Sequence, residues 1–219
     1  MAIVMVTGAT GGIGGALVEI LRRRGDEIYG VGRDQDRLAA LGVHPVVADL
    51  TRPETLSTAL PPLERLDVLV HSAGVVTLGN VAETPYPVWQ EHFAVNLGAA
   101  AELTRLLLPA LRAAAGQVVF VNSGAGLRAN PGWSAYAASK FGLRALADSL
   151  RAEERALRVT SIHPGRTATG MQQSVRDQEG GDYDPEQYIR PETVANLIVT
   201  ALDTPPDAEL IDLSVRYRL

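Results

Sequence analysis

The stretch "AIVMVTGATGGIG", residues 2–14, decides the fold that the sequence predicts. Its apolar start, residues 2–6, has the composition of a buried strand, and apolar residues at helical spacing follow it. The turn between them contains Gly8, Gly11, Gly12 and Gly14. Glycine permits a tight turn and a close approach of backbone to ligand, and the free N–H groups at a helix start can bind a pyrophosphate. This strand-to-helix context favours dinucleotide binding over a purely structural turn, and the lack of a Gly-Lys-Ser/Thr sequence excludes a P-loop.

The rest of the chain alternates short apolar runs with helical patterns. Apolar runs bounded by Gly, Pro or Asp predict further strands at 27–31, 44–48, 66–71, 117–122, 158–162 and 208–213. Helical patterns lie between them, at 13–21, 34–42, 51–60, 89–115, 134–157 and 191–202. This alternation predicts an α/β chain, namely a single-domain, doubly wound (Rossmann) three-layer fold with a mostly parallel seven-stranded sheet.

Residues 168–190 form the one long stretch without a strand or helix pattern. The segment is polar and contains glycine. A loop of this length inside a compact domain is usually a lid or a disordered segment. We expect a substrate lid, which Met171 and Gln172 begin and from which they could touch substrate, within a single domain that spans residues 1–219.

Composition limits the possible classes of protein. The chain has 219 residues, 46% of them hydrophobic, which is enough for one full core. The net charge of −5 and the scattering of arginines among acids argue against a nucleic-acid partner. There is no cysteine, and the four histidines lack ligand spacing, so we expect no metal site. The N-terminus has no basic region, cleavage site or 18-residue apolar span, which predicts a soluble cytoplasmic protein without a membrane partner.

The sequence "YAASK", residues 136–140, places a tyrosine and a lysine four positions apart. Residues i and i+4 of a helix lie on one face, so the phenol and the ammonium can act at one point. The chain has 20 basic residues, and Lys140 is its only lysine. Because 6 tyrosines stand in 219 positions, chance would place one four residues before a single lysine in about 3% of cases. A lysine kept where every other cation is arginine indicates a role for a compact ammonium.

With the glycine turn, YAASK and a serine thirteen residues before the tyrosine, the chain resembles the short-chain dehydrogenase/reductase family over nearly its whole length. The family's other motifs occur in order: Asp49 in "ADL", "HSAG" at 71–74, Asn96 in "VNLGA", Ser123 in "VNSGAG" and "HPGRTAT" at 163–169. The family usually has NNAG in place of HSAG. The hydrogen bonds of those two asparagines must therefore be made differently or not at all.

The resemblance implies hydride transfer to or from a carbonyl carbon, with a small-molecule carbonyl compound or alcohol as substrate. It assigns Tyr136 as general acid/base, and we expect the ammonium of Lys140 and an oxidised nicotinamide to lower the pKa of this tyrosine. Ser123 is expected to hydrogen-bond the substrate oxygen, and Asn96 to support a proton relay. Cofactor binding is assigned to Gly8, Thr10, Gly11, Gly12, Ile13, Gly14, Arg33, Asp49, Leu50, Ala73, Gly74, Asn96, Tyr136, Lys140, Pro164, Gly165 and Thr167.

The identity of the cofactor depends on "GVGRD", residues 30–34, at the end of the second strand. An NAD site places an acidic residue at the last strand position, where it accepts the ribose 2′-hydroxyl and repels a 2′-phosphate. Gly32 holds that position here, and Arg33 can pair with the phosphate while Thr10 adds a hydroxyl. If the strand ran two residues longer, Asp34 would take the acidic role. We expect NADP(H) rather than NAD(H).

Two other functions use the same fold. A non-catalytic NADP(H)-binding sensor needs the glycine turn, whose spacing also satisfies GxxGxxG, but has no need of the catalytic serine, tyrosine and lysine together. An epimerase or dehydratase acting on a nucleotide sugar uses the same tyrosine and lysine, but it normally has a larger C-terminal domain than the roughly 50 residues after Gly170 can form.

The resemblance also implies an assembly. Family members commonly pair through the two long helices, predicted here at 89–115 and 134–157, so we expect a homodimer or homotetramer. Trp133, just before the second of these helices, is expected either to form a pocket wall or to serve ordinary packing.

Overall fold

The part of the chain that the structure describes contains seven strands and eight α-helices. The computed structural model describes residues 1–218, so Leu219, the last residue of the predicted domain, lies outside the described residues. The strands are β1 Ile3–Thr7, β2 Glu27–Gly32, β3 His44–Val47, β4 Val68–His71, β5 Gln117–Val121, β6 Arg158–Pro164 and β7 Asp212–Val215. The helices are α1 Gly12–Arg23, α2 Gln35–Ala40, α3 Leu56–Ala59, α4 Tyr86–Phe93, α5 Ala99–Ala114, α6 Ser134–Glu153, α7 Gly170–Gln178 and α8 Pro191–Leu202.

All seven strands join one sheet in the order β3-β2-β1-β4-β5-β6-β7. Each of its six strand pairings is parallel, so the predicted doubly wound fold is confirmed with a fully parallel sheet. The direction of winding reverses between β1 and β4, because the chain moves outward through β2 and β3 before it returns to pair β4 with β1. Such a switch point opens a crevice at the carboxyl ends of the strands, where ligands bind.

Two apolar cores, one on each face of the sheet, produce the three layers. Along β1, Met5 packs in one core, whereas Val4 and Val6 pack in the other. One core joins the sheet to α3, α5 and α6, and the other joins it to α1, α2 and α8. Because the inner strands are covered on both faces, their consecutive positions are apolar, which explains the runs in the sequence, whereas the edge strands β3 and β7 are more exposed.

The turn between β1 and α1 closes on the switch point. Gly8 has a φ of +68°, and its amide donates to the carbonyl oxygen of Val31 at 3.0 Å. A Cβ at Gly8 would lie 3.0 Å from the backbone of Ala73, which follows β4. A Cβ at Gly14 would lie 2.3 Å from the carbonyl oxygen of Gly8. Both glycines are therefore required by a close approach of backbone to backbone.

The last strand begins later than the sequence predicts. The apolar pattern favours residues 208–213, whereas β7 begins at Asp212. Ahead of the strand, the carboxylate of Glu209 accepts the amide of Val159 at 2.5 Å, so a side chain occupies a ladder position of β6. The apolar pattern thus indicates an extended segment beside β6 rather than the strand itself.

The segment 168–190 is not the irregular loop that the sequence predicts, because it contains α7. Thr169 caps this helix, and its hydroxyl accepts the backbone N–H of Gln172 at 3.2 Å. Thr-x-x-Gln has the spacing of a capping box, which is the signal that could have located the helix. Within α7 only Gln172 and Val175 are buried, so the apolar periodicity is too weak to predict it.

The first long helical pattern is a continuous helical run from Tyr86 to Ala114. It consists of α4, a π-helical turn at Ala94–Gly98 and α5. An 18-residue stretch of this run has a mean hydropathy of 1.2, which would suffice for a membrane span by length and composition alone, but half of that stretch is buried in the structure. Since α5 contributes buried residues to the core, we attribute the apolar composition to packing on the sheet.

Replacing Gly14 by alanine should destabilise the protein, whereas the neighbouring Gly15→Ala should not. The added methyl group at position 14 meets a backbone oxygen at 2.3 Å, but at position 15 the nearest atom is 3.5 Å away, which is ordinary contact. We expect Gly14→Ala to lower the free energy of unfolding by about 1–3 kcal/mol. Gly15→Ala, inside the same helix, should leave it unchanged or raise it by up to about 1 kcal/mol. Urea unfolding followed by circular dichroism measures both, and equal effects would show that the turn relaxes freely.

Candidate active site

Three of the four predicted catalytic residues line one cavity of about 470 Å³ at the carboxyl ends of β4, β5 and β6. Ser123 follows β5 and begins a short 3-10 turn, and its hydroxyl accepts the amide of Ala125 at 3.1 Å. Tyr136 and Lys140 lie in the first two turns of α6, with Trp133 just before them. The spacing of four residues on a helix therefore brings the phenol and the ammonium to the same wall.

Tyr136 is nearly enclosed. It is 6% exposed, and its ring stands edge-on to Trp133 with 5.8 Å between centroids. Burial raises the pKa of Tyr136 above its ordinary value of 10.0, and a side-chain hydrogen bond with Ser123 acts in the opposite direction. The raised pKa differs from the lowered value that the sequence predicts. Desolvation disfavours the phenolate, while the Lys140 ammonium lies 5.9 Å from the ring centroid and makes its hydrogen bond elsewhere.

Lys140 connects α6 to the sheet. Its Nζ donates to the carbonyl oxygen of Val121, the last residue of β5, at 3.0 Å, and the residue is 3% exposed. Burial lowers the pKa of Lys140 from 10.5 to about 8. The amine is thus largely protonated at neutral pH and loses its charge under mildly basic conditions. A Cβ at Gly74 would lie 3.8 Å from Nζ, so the ammonium also faces the segment after β4.

Asn96 does not line the cavity but holds its walls together. It lies in the π-helical turn, a feature that is frequent at functional sites. Its Oδ1 accepts the amide of Val75 at 2.8 Å, and its Nδ2 donates to the carbonyl oxygen of Val75 at 3.0 Å and to the hydroxyl of Ser139 at 2.9 Å. Asn96 therefore fixes the segment after HSAG against α6.

A second cavity, of about 440 Å³, extends from the first over the glycine turn. Six residues line both cavities, which together form one continuous cleft: Ile13, Ser72, Ala73, Gly74, Thr169 and Met171. The predicted cofactor residues at the second cavity are Gly8, Thr10, Gly11, Gly12, Ile13, Gly14, Arg33, Asp49, Leu50, Ala73 and Gly74. Those at the first cavity include Tyr136, Lys140, Pro164, Gly165 and Thr167. Of the predicted cofactor residues, only Asn96 is absent from both walls.

The end of the second strand has the boundary that the sequence predicts. β2 ends at Gly32, and Arg33 lines the second cavity. Asp34 is the N-cap of α2, where its carboxylate accepts the amide of Arg37 at 3.0 Å. The guanidinium of Arg37 then donates to the carbonyl oxygen of Thr10 at 3.1 Å. The alternative in which the strand extends to Asp34 is therefore not observed.

The start of α7 lines the cleft where the sequence analysis expects a lid, but the sequence does not predict that this segment is a helix. Thr169 and Met171 line both cavities, and a Cβ at Gly12 would lie 2.2 Å from Cγ2 of Thr169. Gly12 therefore allows α7 to pack directly on the glycine turn. The capping-box spacing at Thr169 and Gln172 was the available signal for this contact.

The HSAG departure is accommodated by different hydrogen bonds. Nε2 of His71 lies 2.9 Å from the hydroxyl of Thr104, and its ring stacks on Phe120 with 4.9 Å between centroids. The hydroxyl of Thr7 accepts the amides of residues 72 and 73 at 3.0 Å each. Burial lowers the pKa of His71 from 6.5 to about 3, so this imidazole is neutral at physiological pH.

A second buried histidine supports the backbone of Ser123. Nδ1 of His163 lies 3.3 Å from the carbonyl oxygen of Ser123, and its Nε2 lies 2.8 Å from a carboxylate oxygen of Asp212.

Among residues 1–218, no group of three or more His, Cys, Asp or Glu side chains could hold a metal ion. The absence of a metal site remains a prediction.

Comparison with known proteins finds short-chain dehydrogenases and oxidoreductases that are similar to this chain. The family model described as short chain dehydrogenase matches residues 2–180. An uncharacterized short-chain type dehydrogenase/reductase of Sinorhizobium fredii is 31% identical over 97% of this chain and 90% of its own length. The uncharacterized oxidoreductase YciK of Escherichia coli is 32% identical over 89% of this chain and 83% of its own length.

A solved structure shows the same likeness. A short chain dehydrogenase of Shigella flexneri, crystallised in complex with NADP, superposes with a TM-score of 0.88 at 27% identity, covering 97% of this chain and 96% of that one. This neighbour shares both the fold and the sequence family, and the NADP is bound in the structure of that protein.

Because buried His71 stays neutral in the folded protein, the free energy of unfolding should fall in mild acid. The folded pKa of about 3 lies below the ordinary 6.5, so between these values the unfolded chain binds a proton that the folded chain does not. Stability therefore falls as pH falls below 6.5, by about 2 kcal/mol at pH 5 for this one group. We expect His71→Asn to lose less stability between pH 7 and pH 5 than the wild type, measured by urea unfolding.

The matched control is His44→Asn, because the side chain of His44 is 60% exposed. This variant should retain the acid-side loss of the wild type. If His71→Asn and the wild type lost stability equally on acidification, His71 would not be the buried neutral group described above.

Proposed function

The chain belongs to the short-chain dehydrogenase/reductase family of oxidoreductases, and we propose that it interconverts a small carbonyl compound and an alcohol by hydride transfer with NADP(H). One observation carries the proposal. A single cleft holds Ser123, Tyr136 and Lys140 at one end and the glycine turn with Arg33 at the other. A dinucleotide is the ligand whose two ends would need both sets of residues at once.

The glycine turn fits a pyrophosphate. α1 begins at Gly12, its N-cap is Gly11, and no side chain caps the helix, so the first amides remain available to a ligand. Lys140 and the Pro164–Gly165 segment would hold the other end of the cofactor. NADP(H) supplies or accepts the hydride when it is bound.

The end of β2 favours NADP(H) over NAD(H). Gly32 removes the acidic side chain that would accept a 2′-hydroxyl, and Asp34 is engaged as the cap of α2. Arg33 lines the cavity and can meet a 2′-phosphate with charge-assisted hydrogen bonds. We expect Thr10, in the same wall, to add a hydroxyl contact.

Tyr136 would pass a proton to the substrate oxygen or take one from it, and Ser123 would hydrogen-bond that oxygen. Burial raises the pKa of Tyr136, so the phenol is protonated at neutral pH and suited to act as the acid in carbonyl reduction. The Lys140 ammonium adds positive charge to the same wall. Asn96 would support the proton path through its bonds to Val75 and Ser139.

The second candidate function is a non-catalytic NADP(H)-binding sensor of the same fold. It needs the glycine turn and Arg33 but gives no reason to bury a lysine beside a tyrosine and a serine at the cavity wall. Burying an ammonium is costly, so a site that keeps one favours catalysis. Turnover of any carbonyl substrate distinguishes the two.

We propose further that residues 1–219 form one domain in which segment 168–190 acts as a lid. α7 lies over the cleft, and Oε1 of Gln178 at its end accepts the amide of Leu78 from the opposite side at 2.8 Å. We also propose that α5 and α6 pair between copies in a homodimer or homotetramer, and that the protein works in the cytoplasm without nucleic-acid or membrane partners.

Replacing Tyr136 by phenylalanine should remove catalysis and spare cofactor binding. The substitution deletes only the hydroxyl that carries the proton, so kcat should fall by about two to four decades. Activity is measured by NADPH oxidation over a panel of aldehydes, ketones and quinones, and NADPH affinity by fluorescence titration.

The control is Tyr29→Phe, which also deletes one phenolic hydroxyl, bound to Glu27 outside the cleft. This variant should keep wild-type kcat. A Tyr136→Phe enzyme that turned over near the wild-type rate would remove the proposed role of the tyrosine.

Replacing Arg33 by alanine should weaken NADPH binding and leave NADH binding unchanged. The loss of charge-assisted hydrogen bonds to the 2′-phosphate corresponds to about 10–100-fold in Kd. Fluorescence titration with both reduced cofactors measures this directly. Arg52→Ala is the matched control, because the charges of Arg33 and Arg52 both lower the pKa of Asp49, but Arg52 does not line the cavity. NADH binding as tight as NADPH binding in the wild type would overturn the cofactor assignment.

A further inference from the structure

The charged side chains at the substrate end of the cleft are all positive. The described residues that line the 470 Å³ cavity include two cations, Lys140 and Arg166, and no aspartate or glutamate. Lys140 lies at the inner wall beside Tyr136. Cζ of Arg166 lies 5.8 Å from the centroid of the Trp133 ring, and that ring lies 5.8 Å from the ring of Tyr136. Trp133 thus connects the reacting end of the cavity to a second positive charge.

Arg166 keeps donors available although it is paired. It donates to both oxygens of Glu179, through one bond of 2.9 Å and a second, shorter one. Glu179 also accepts Arg176 at 2.7 Å, so two guanidinium groups share one carboxylate and leave a net positive charge. Tyr188 is the other titratable group that bonds Arg166. A guanidinium has five N–H groups; Glu179 uses two of them and Tyr188 meets one more, so two remain for a ligand.

Gln172 adds an unsatisfied amide to the same cavity. It is 6% exposed, it lines the cavity, and its Nε2 is buried without a hydrogen-bond partner. A buried polar group without a partner is rare in a native structure and costs stability. The bond from its backbone N–H to Thr169 fixes Gln172 in the first turn of α7, among the residues that line the cavity.

We propose that the substrate of this protein carries an anionic group, most simply a carboxylate, apart from its reacting carbonyl or alcohol, and that Arg166 and Gln172 receive it. The proposal rests on the oxidoreductase function proposed above. The carboxylate takes no part in the reaction: a hydride adds to the carbonyl carbon, and the proton from Tyr136 completes the alcohol. An anion at Arg166 would meet charge-assisted hydrogen bonds, and Gln172 would gain the acceptor that it lacks.

The test compares oxo carboxylic acids of increasing chain length with their methyl esters, using NADPH and the full-length protein. The wild type should show a kcat/KM at least tenfold higher for its best acid than for the matching ester. Arg166→Gln should lower kcat/KM for the acid by about 10–100-fold, mainly through KM, and change that for the ester by less than about threefold. Gln172→Leu should reduce the same preference to a smaller extent. NADPH affinity, measured by fluorescence, should be unchanged in both variants.

Arg176→Gln is the matched control, since Arg176 binds the same Glu179 but does not line the cavity. It should keep the preference for acids. If Arg176→Gln lost the preference as fully as Arg166→Gln, Arg166 would act by holding Glu179 and α7 rather than by meeting substrate, and the proposal would fail. Equal kcat/KM for acids and esters in the wild type would also overturn it while leaving the oxidoreductase function intact. Turnover of neither series, with NADPH bound normally, would count against the oxidoreductase function and the anion site with it.

Discussion

The close approach of two backbone segments at the centre of the sheet is the constraint on which the rest of the structure depends. Gly8, after β1, and Ala73, after β4, approach so closely that a Cβ on Gly8 would meet the Ala73 backbone at 3.0 Å. Only strands that pair directly, with no helix between their ends, can bring two turns so near. The contact therefore belongs to the switch point, and it aims the uncapped start of α1 along the crevice that the switch opens.

Buried polar side chains then fix the walls of this crevice by bonding to main-chain atoms. The ammonium of Lys140 holds the last carbonyl of β5, the amide of Asn96 holds both polar atoms of Val75, and the ring of His163 lies against the carbonyl of Ser123. Leaving any of these backbone groups unpaired would cost about 1–3 kcal/mol. The same bonds place the proposed catalytic groups relative to three strand ends, so the stability of the site and its geometry have one origin.

The sequence predicted what depends on local pattern and missed what depends on packing. Apolar runs located six of the seven strands closely, and all of these except the edge strand β3 are largely buried. The run at 208–213 lies mostly ahead of β7, where Glu209 accepts a hydrogen bond from the neighbouring strand. The Gly32 boundary of β2 was correct because Asp34 is a strong helix cap. α7 was missed since its apolar face is narrow. Arg166 stood inside a recognised motif, but its contact with Trp133 depends on α6 and could not be read from spacing.

Burial has opposite effects on the pKa values of Tyr136 and Lys140, two of the titratable groups of α6, and together these shifts favour one protonation state. It raises the pKa of Tyr136 and lowers that of Lys140 to about 8, so both groups move toward their neutral forms. At neutral pH the phenol is protonated and the amine still largely charged. In the proposed reaction, carbonyl reduction would take a proton from the phenol and so could begin from this state without prior titration. Alcohol oxidation needs the phenolate, which forms readily only when further positive charge lies at this end of the cleft. In the proposed reaction, the enclosed Tyr136 would therefore act as an acid by default and as a base only in response to a nearby cation.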